Sequence, residues 1–316
     1  MKAAWILLPA LLLGAGSAQA AIATWVSGTG SDTGNCQITA PCRTFAFAHD
    51  QTNNNGSINV LSSGNFGPLT ITKPISIVAD GVEAIINSSI TTGARDTAIL
   101  VQAGAAAVVS LRGLTIDLRG TGNKGIGFES DAALHVHNCV IRRASTGILF
   151  LPFSGTSALY VADPVVANSD ASGIHVSPSG NASATAVLNR VRVENNLNQG
   201  ISFSGSATTG SITATVRDSV SAGHISHGIF ANVGAGTTTV MIDRSTLVNN
   251  GTGINIRTSI QFPGGAATAR IGNSTVSGNS TGLVTNLGGG SILSYGTNKI
   301  DGNGGNQTPT NTIATR

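Results

Sequence analysis

Charge is the first thing this chain lacks. Only 10% of its 316 residues are Asp, Glu, Lys or Arg, and a net charge of +3 is too small to hold a nucleic acid or an anionic membrane surface by electrostatics. Aromatic residues are scarcer still, at 4%. Beyond position 20 the chain has one tryptophan, Trp25, and two tyrosines, Tyr160 and Tyr295, which argues against a row of aromatic platforms for docking sugars. Long apolar runs are also missing from this part of the sequence, so no helix is expected to span a bilayer. Cysteine stops at Cys36, Cys42 and Cys139, too few for a fold built on disulfides.

What is present begins with a leader. Lys2 precedes the apolar run "AAWILLPALLLGAG", and "SAQA" follows, with Ala18 and Ala20 at the small-residue cleavage positions. Residues 1–20 therefore read as a signal peptide cleaved near Ala20, and the remainder as a secreted, periplasmic or cell-surface protein. Export makes a bond between Cys36 and Cys42 reasonable across the short turn "CQITAPC", and leaves Cys139 as a small buried side chain.

The low charge does not mean disorder, because Gly is abundant at 41 residues and Ile, Val and Leu recur with a period. Gly is followed by an aliphatic residue at Ile126, Ile148, Ile174, Ile201, Ile229, Ile254 and Leu283, about 26 residues apart. Two residues further on stand Phe128, Phe150, Val176, Phe203, Ala231, Ile256 and Thr285, the alternation of a strand with one buried face. Phe128, Phe150, Phe203 and Phe230 lie in or beside this strand and are expected to stack inside. A second register precedes it: Gly113, Asn138, Asp163, Asn189, Asp218, Asp243, Asn273 and Asn298, residue types that tolerate tight turns. Short, β-branched segments broken by Gly, Asn, Ser and Thr exclude helical repeats, and the period is too short for a propeller blade. A parallel β-helix of about ten coils remains, with like residues stacked at the inter-strand spacing.

Length varies after each Gly-aliphatic strand, in "VGAGTTT", "FPGGAAT" and "LGGGS", which marks one loop edge of the rod. Residues 21–56 form the expected N-terminal cap, with a short amphipathic helix in "CRTFAFAHDQT" begun by Thr44. Residues 57–304 form the coils, and 305–316 a loose polar tail.

The segments "TWVSGTGSDTGNCQITAPCRTFAFA" and "INVLSSGNFGPLTITKPISI" resemble the cap and first coil of exported bacterial right-handed parallel β-helix proteins of the pectate-lyase-like superfamily. The resemblance extends over the chain from Ala21 and implies the right-handed sense. That superfamily includes pectate lyases, pectin lyases and polygalacturonases, but also tailspikes, autotransporter passengers and members without an assigned reaction, the group this chain is most similar to. Fold alone carries no function.

The hydrolase signatures Asn-Thr-Asp, Asp-Asp, Gly-His-Gly and Arg-Ile-Lys do not occur, nor does a Trp-x-Asp-His motif. "GHISHG" supplies His224 and His227, read as coil-corner residues, and "GTGNKG" is a glycine-rich corner with no following helix to bind phosphate. Calcium is the only cofactor with candidates, Asp163, Asp218 and Asp243, and the recurrence of Asn in the same register favours turn capping instead. The ligand candidates are Arg112, His135, His137, Arg142, Tyr160, Arg190, Arg192 and Arg217, clustered near the recurring turn. Such a stripe would hold an acidic polysaccharide by guanidinium–carboxylate contacts, unless ion pairs between coils neutralise it. The expectation is a monomeric structural or adhesive protein that contacts polysaccharide without turnover. The alternative is a polysaccharide lyase or glycoside hydrolase with an atypical site.

Overall fold

The computed structural model describes residues 21–87, 97–119, 124–258, 264–286 and 289–314. The expected signal peptide and residues 120–123 of the "GTGNKG" segment lie outside the described residues. The chain forms a parallel β-solenoid in which each full coil contributes one strand to each of three sheets, of twelve, ten and nine strands. One coil shows the path: Ala133–His137 in the first sheet, a turn at Asn138, Val140–Arg142 in the second, then Ile148–Phe150 in the third. A loop leads to Thr156–Ala162, back on the first sheet one coil along. No described helix is long and apolar enough to cross a membrane.

The Gly-aliphatic register runs up the third sheet as expected. Ile126, Ile148, Ile174, Ile201, Ile229, Ile254 and Leu283 are successive strand partners, and all are buried. Phe128 and Phe150 stack beside them with ring centroids 4.2 Å apart. Fully burying side chains of this size stabilises by about 1.5–3 kcal/mol each, repeated on every rung. The glycine before each aliphatic is needed for space. A β-carbon on Gly147 would lie 2.3 Å from Val166 Cγ1, and on Gly173 2.4 Å from Val193 Cγ1, where the third sheet crosses over the second.

The turn register needs a correction. Positive φ falls at Gly113, Asn138, Asp163, Arg190, Asp218, Arg244 and Asn273, and on the last coil at Gly296, two residues before the expected Asn298. Asn189 and Asp243 are strand-end residues one position earlier, paired with Arg217 on the intervening coil. Arg190 and Arg244 occupy the strained left-handed positions because their guanidinium groups are fixed on the preceding coil's Asp163 and Asp218.

Both ends of the rod are covered. Phe45–Gln51 is a one-helix cap, with Thr44 Oγ1 accepting from the Phe47 amide at 3.2 Å. Ala21–Val26 pairs with Thr52–Val60 as the first strand of the first sheet, and Cys36 and Cys42 are bonded. At the other end the tail is more ordered than its composition suggests. Asn311–Thr312 pairs with the last long strand of the first sheet and occupies an edge that would otherwise be open.

Candidate functional site

Of the sequence-derived arginines, Arg112, Arg190 and Arg217 lie at the corner between the first and second sheets and Arg142 and Arg192 on second-sheet strands, and each meets a carboxylate. Arg112 is 2.8 Å from Asp80, Arg142 3.1 Å from Asp117, and Arg192 2.6 Å from Glu194. Arg190 makes two bonds to Asp163, at 2.6 and 2.7 Å, and Arg217 lies 3.2 Å from Asp218. His137 is 3.4 Å from Asp163. The corner is thus a charge-compensated ladder. The hydrogen-bonding guanidinium of Arg190 holds the Asp163 carboxyl below its usual range, and Arg244 does the same for Asp218.

The calcium candidates share this fate. Asp163 and Asp218 are two coils apart with Arg190 on the coil between, and Asp243 accepts from Arg244 at 2.6 Å and from Asn273 at 3.0 Å. No group of three or more His, Cys, Asp or Glu side chains able to hold a metal occurs among the described residues. Of the other ligand candidates, His135 and Tyr160 remain on the open first sheet, their rings 4.7 Å apart and Tyr160 40% exposed.

His224 and His227 do not act together. His224 turns into the second corner of the coil, where side chains form a buried ladder. Ser169 N–H donates to Asn196 Oδ1 at 2.8 Å, Asn196 N–H to His224 Nδ1 at 3.1 Å, His224 N–H to Asn250 Oδ1 at 3.0 Å, and Asn250 N–H to Asn279 Oδ1 at 2.9 Å. The backbone donor at Nδ1 places the imidazole proton on Nε2, 3.1 Å from Ser221 Oγ. Burial pushes the His224 pKa down to about 4, so the ring stays neutral and serves as an acceptor. Gly200 makes room for it, since a β-carbon there would lie 2.3 Å from His224 Nε2.

His227 sits instead on the outer face of the third sheet, which sequence reasoning did not single out. The outward row pairs His175, Ser202, Phe230 and Asn255 on four successive coils. Ser202 and Asn255 are 0% and 6% exposed, yet Ser202 Oγ, Asn255 Oδ1 and His175 Nδ1 have no hydrogen-bond partner, and neither has Asn232 Oδ1 in the adjoining row. Native structures seldom leave buried polar atoms unpaired, because each costs about 1–3 kcal/mol. Phe230 is only 4% exposed and stands apart from the continuous core. Arg257 lies over its ring at 4.7 Å and the His227 ring is 5.2 Å away, with His227 Nε2 accepting from Asn255 Nδ2 at 2.8 Å. The expectation that all four phenylalanines stack inside therefore fails at Phe230. It follows Ile229 directly, and alternation along the strand points it outward. The flanking rows, with Gln199, Thr252 and Ser204, are half-buried, so the central row forms a floor.

This floor offers acceptors, a hydroxyl, an aromatic ring and one guanidinium, and its four central residues include no carboxylate. Burial lowers the His175 pKa, and burial with the nearby Arg257 charge lowers that of His227 to about 4, so both rings are neutral near neutral pH.

Comparison with known proteins finds no matching family profile and no matching curated protein. Among solved structures the chain is similar to pectate lyase Pel9A, at 13% identity and TM-score 0.47, covering 93% of this chain and 76% of that one. It is also similar to the periplasmic alginate epimerase AlgG, at 10% identity and TM-score 0.42, covering 82% and 76%. A third is the A-module of the mannuronan C-5 epimerase AlgE4 of Azotobacter vinelandii, at 12% identity and TM-score 0.43, covering 93% and 89%.

Proposed function

We propose that this is an exported β-solenoid that binds a polysaccharide along the outer face of its third sheet and does not cleave it. The observation that carries this reading is the row of unpartnered polar atoms, His175 Nδ1, Ser202 Oγ and Asn255 Oδ1, in register beside Phe230. In the free protein these atoms are covered by their neighbours, and a chain of sugar hydroxyls lying across the coils supplies donors and acceptors for them once those side chains turn aside. Phe230 and Arg257 then give one amphipathic subsite. The Cys36–Cys42 bond supports export, since such bonds persist in oxidising compartments.

We place the binding face here rather than at Arg112, Arg142, Arg190, Arg192 and Arg217, whose guanidinium groups already face carboxylates. Arg257 is then the main cation at the face, so salt should weaken binding only modestly. The absence of a carboxylate among the four floor residues leaves that row without the acid and base pair a hydrolase needs.

Retention on uronate-rich and neutral polysaccharide matrices tests the reading, with Phe230→Ala and Asn255→Ala against Thr213→Trp on the exposed first sheet. The floor variants should lose retention about tenfold or more, and the first-sheet variant should keep it. Retention indifferent to Phe230→Ala overturns the assignment, and accumulating unsaturated or reducing sugar ends overturn binding without turnover.

A further inference from the structure

Arg270 lies on the first sheet, in the column that runs from His135 and Tyr160 to Met241. The arginines of the neighbouring corner and of the second sheet face carboxylates, whereas Arg270 makes no side-chain hydrogen bond or ion pair among the described residues. It borders a cleft of about 770 Å³ at the C-terminal end of the first sheet, with Met241, Asp243, Asn273, Tyr295 and Thr297. The cleft exists because a column of side chains stops. Asn189, Arg217 and Asp243 occupy successive rungs at the strand end, and the next rung is Gly272. Tyr295 lies over the gap, its Cδ2 3.2 Å from where a β-carbon on Gly272 would be. The C-terminal strand closes one side, with Ile313 N–H on Ser294 O at 2.8 Å and Ile313 itself on the wall.

We propose that this cleft binds a single hexuronate unit, at a site separate from the third-sheet face and at the end of the rod. The Met241 and Tyr295 side chains give an apolar side for the C–H face of a sugar ring. Around it the polar groups are already oriented. Thr297 Oγ1 accepts the Asn273 amide at 2.9 Å, which leaves its hydroxyl proton to donate. Asn273 Nδ2 donates to Asp243 Oδ1 at 3.0 Å, which leaves Asn273 Oδ1 to accept a hydroxyl. Arg270, the remaining cation, has its guanidinium free for one carboxylate. Asp243 is neutralised by Arg244, so Arg270 is the one uncompensated charge among the described residues of the cleft and matches a single carboxylate, whereas a doubly charged anion such as sulfate leaves one charge unmatched beside Asp243.

The chain holds only two methionines, Met1 and Met241, so a methyl-labelled methionine reports on this cleft directly once assigned with Met241→Leu. The full chain is titrated with glucuronate, glucose or sulfate at constant ionic strength. Glucuronate should shift the Met241 methyl signal saturably, about tenfold or more tighter than glucose, and sulfate should not saturate it. Arg270→Gln should remove the preference for glucuronate over glucose while leaving the unfolding midpoint unchanged, because Arg270 holds no partner. An equal response to glucose or sulfate, no saturable response, or an Arg270→Gln variant that still prefers glucuronate overturns the proposal. Phe230→Ala should leave this response intact, so failure here and failure of the third-sheet reading are told apart.

Discussion

Each coil turns twice through the left-handed backbone region, first into the second sheet and then out of it, and from Asp163 onward the exposed side of the first turn and the buried side of the second are held by different chemistry. At the first, Asp163, Arg190, Asp218 and Arg244 alternate in sign along the rod and are linked by two-pronged ion pairs at the surface. At the second, Asn196, His224, Asn250 and Asn279 pass hydrogen bonds from coil to coil out of contact with water. The geometric demand is similar, a group that reaches the neighbouring rung from a tight bend. Water decides the means. Charge serves where solvent shares the cost of holding it, and amides serve where a bare charge would pay the full desolvation penalty.

The inner ladder should be the harder to break. Asn250→Ala removes the acceptor for the His224 amide and the donor to Ser221 O and Asn279 Oδ1. A loss of about 2 to 4 kcal/mol is expected in denaturant unfolding, because buried partners are left unpaired.

The one imidazole in that ladder sharpens the comparison through pH. The folded-state pKa of His224, about 4, lies below the ordinary 6.5, so the unfolded chain binds the proton first as pH falls. Its stabilising effect is full above pH 6.5 and is lost towards pH 4, by up to about 3 kcal/mol. His224→Asn restores an amide to the ladder and should flatten this slope, leaving the share due to His227, His175, His135 and His49, whose pKa values burial also lowers. An unchanged slope in the variant would remove His224 from the explanation.

The outer ladder should give the smallest effect. Arg244→Asn keeps a residue that tolerates positive φ and removes the bonds to Asp218 and Asp243. The unfolding midpoint should move by no more than about a degree or two, and the difference should vanish in high salt. A shift as large as that of Asn250→Ala would mean the surface ladder is no weaker than the buried one.

The solenoid was legible because its signal is repeated. Seven aliphatic residues in one register outweigh any single ambiguous segment, and the structure stacks all of them. The first turn was misaligned by one residue at Asn189 and Asp243 because Asn and Asp are ordinary turn residues and Arg is not. Only the carboxylate on the preceding coil explains Arg190 and Arg244, and that contact lies 26 or 27 residues away in sequence. The same distance hides the third-sheet floor. His175, Ser202, Phe230 and Asn255 share no residue type, so no pattern marks them until the register brings them side by side. Phe230 carried the one available signal, its place immediately after Ile229 instead of two residues on.

Cys139 is 0% exposed, and burial raises its thiol pKa to about 11. In the closed rod it is therefore both shielded and protonated, and reagents that need a thiolate cannot reach it. Alkylation has to wait for the coil around Val136 and Ile141 to part from its neighbours. The labelling rate of this single free cysteine is then a clock for opening in the middle of the solenoid, readable without adding any probe.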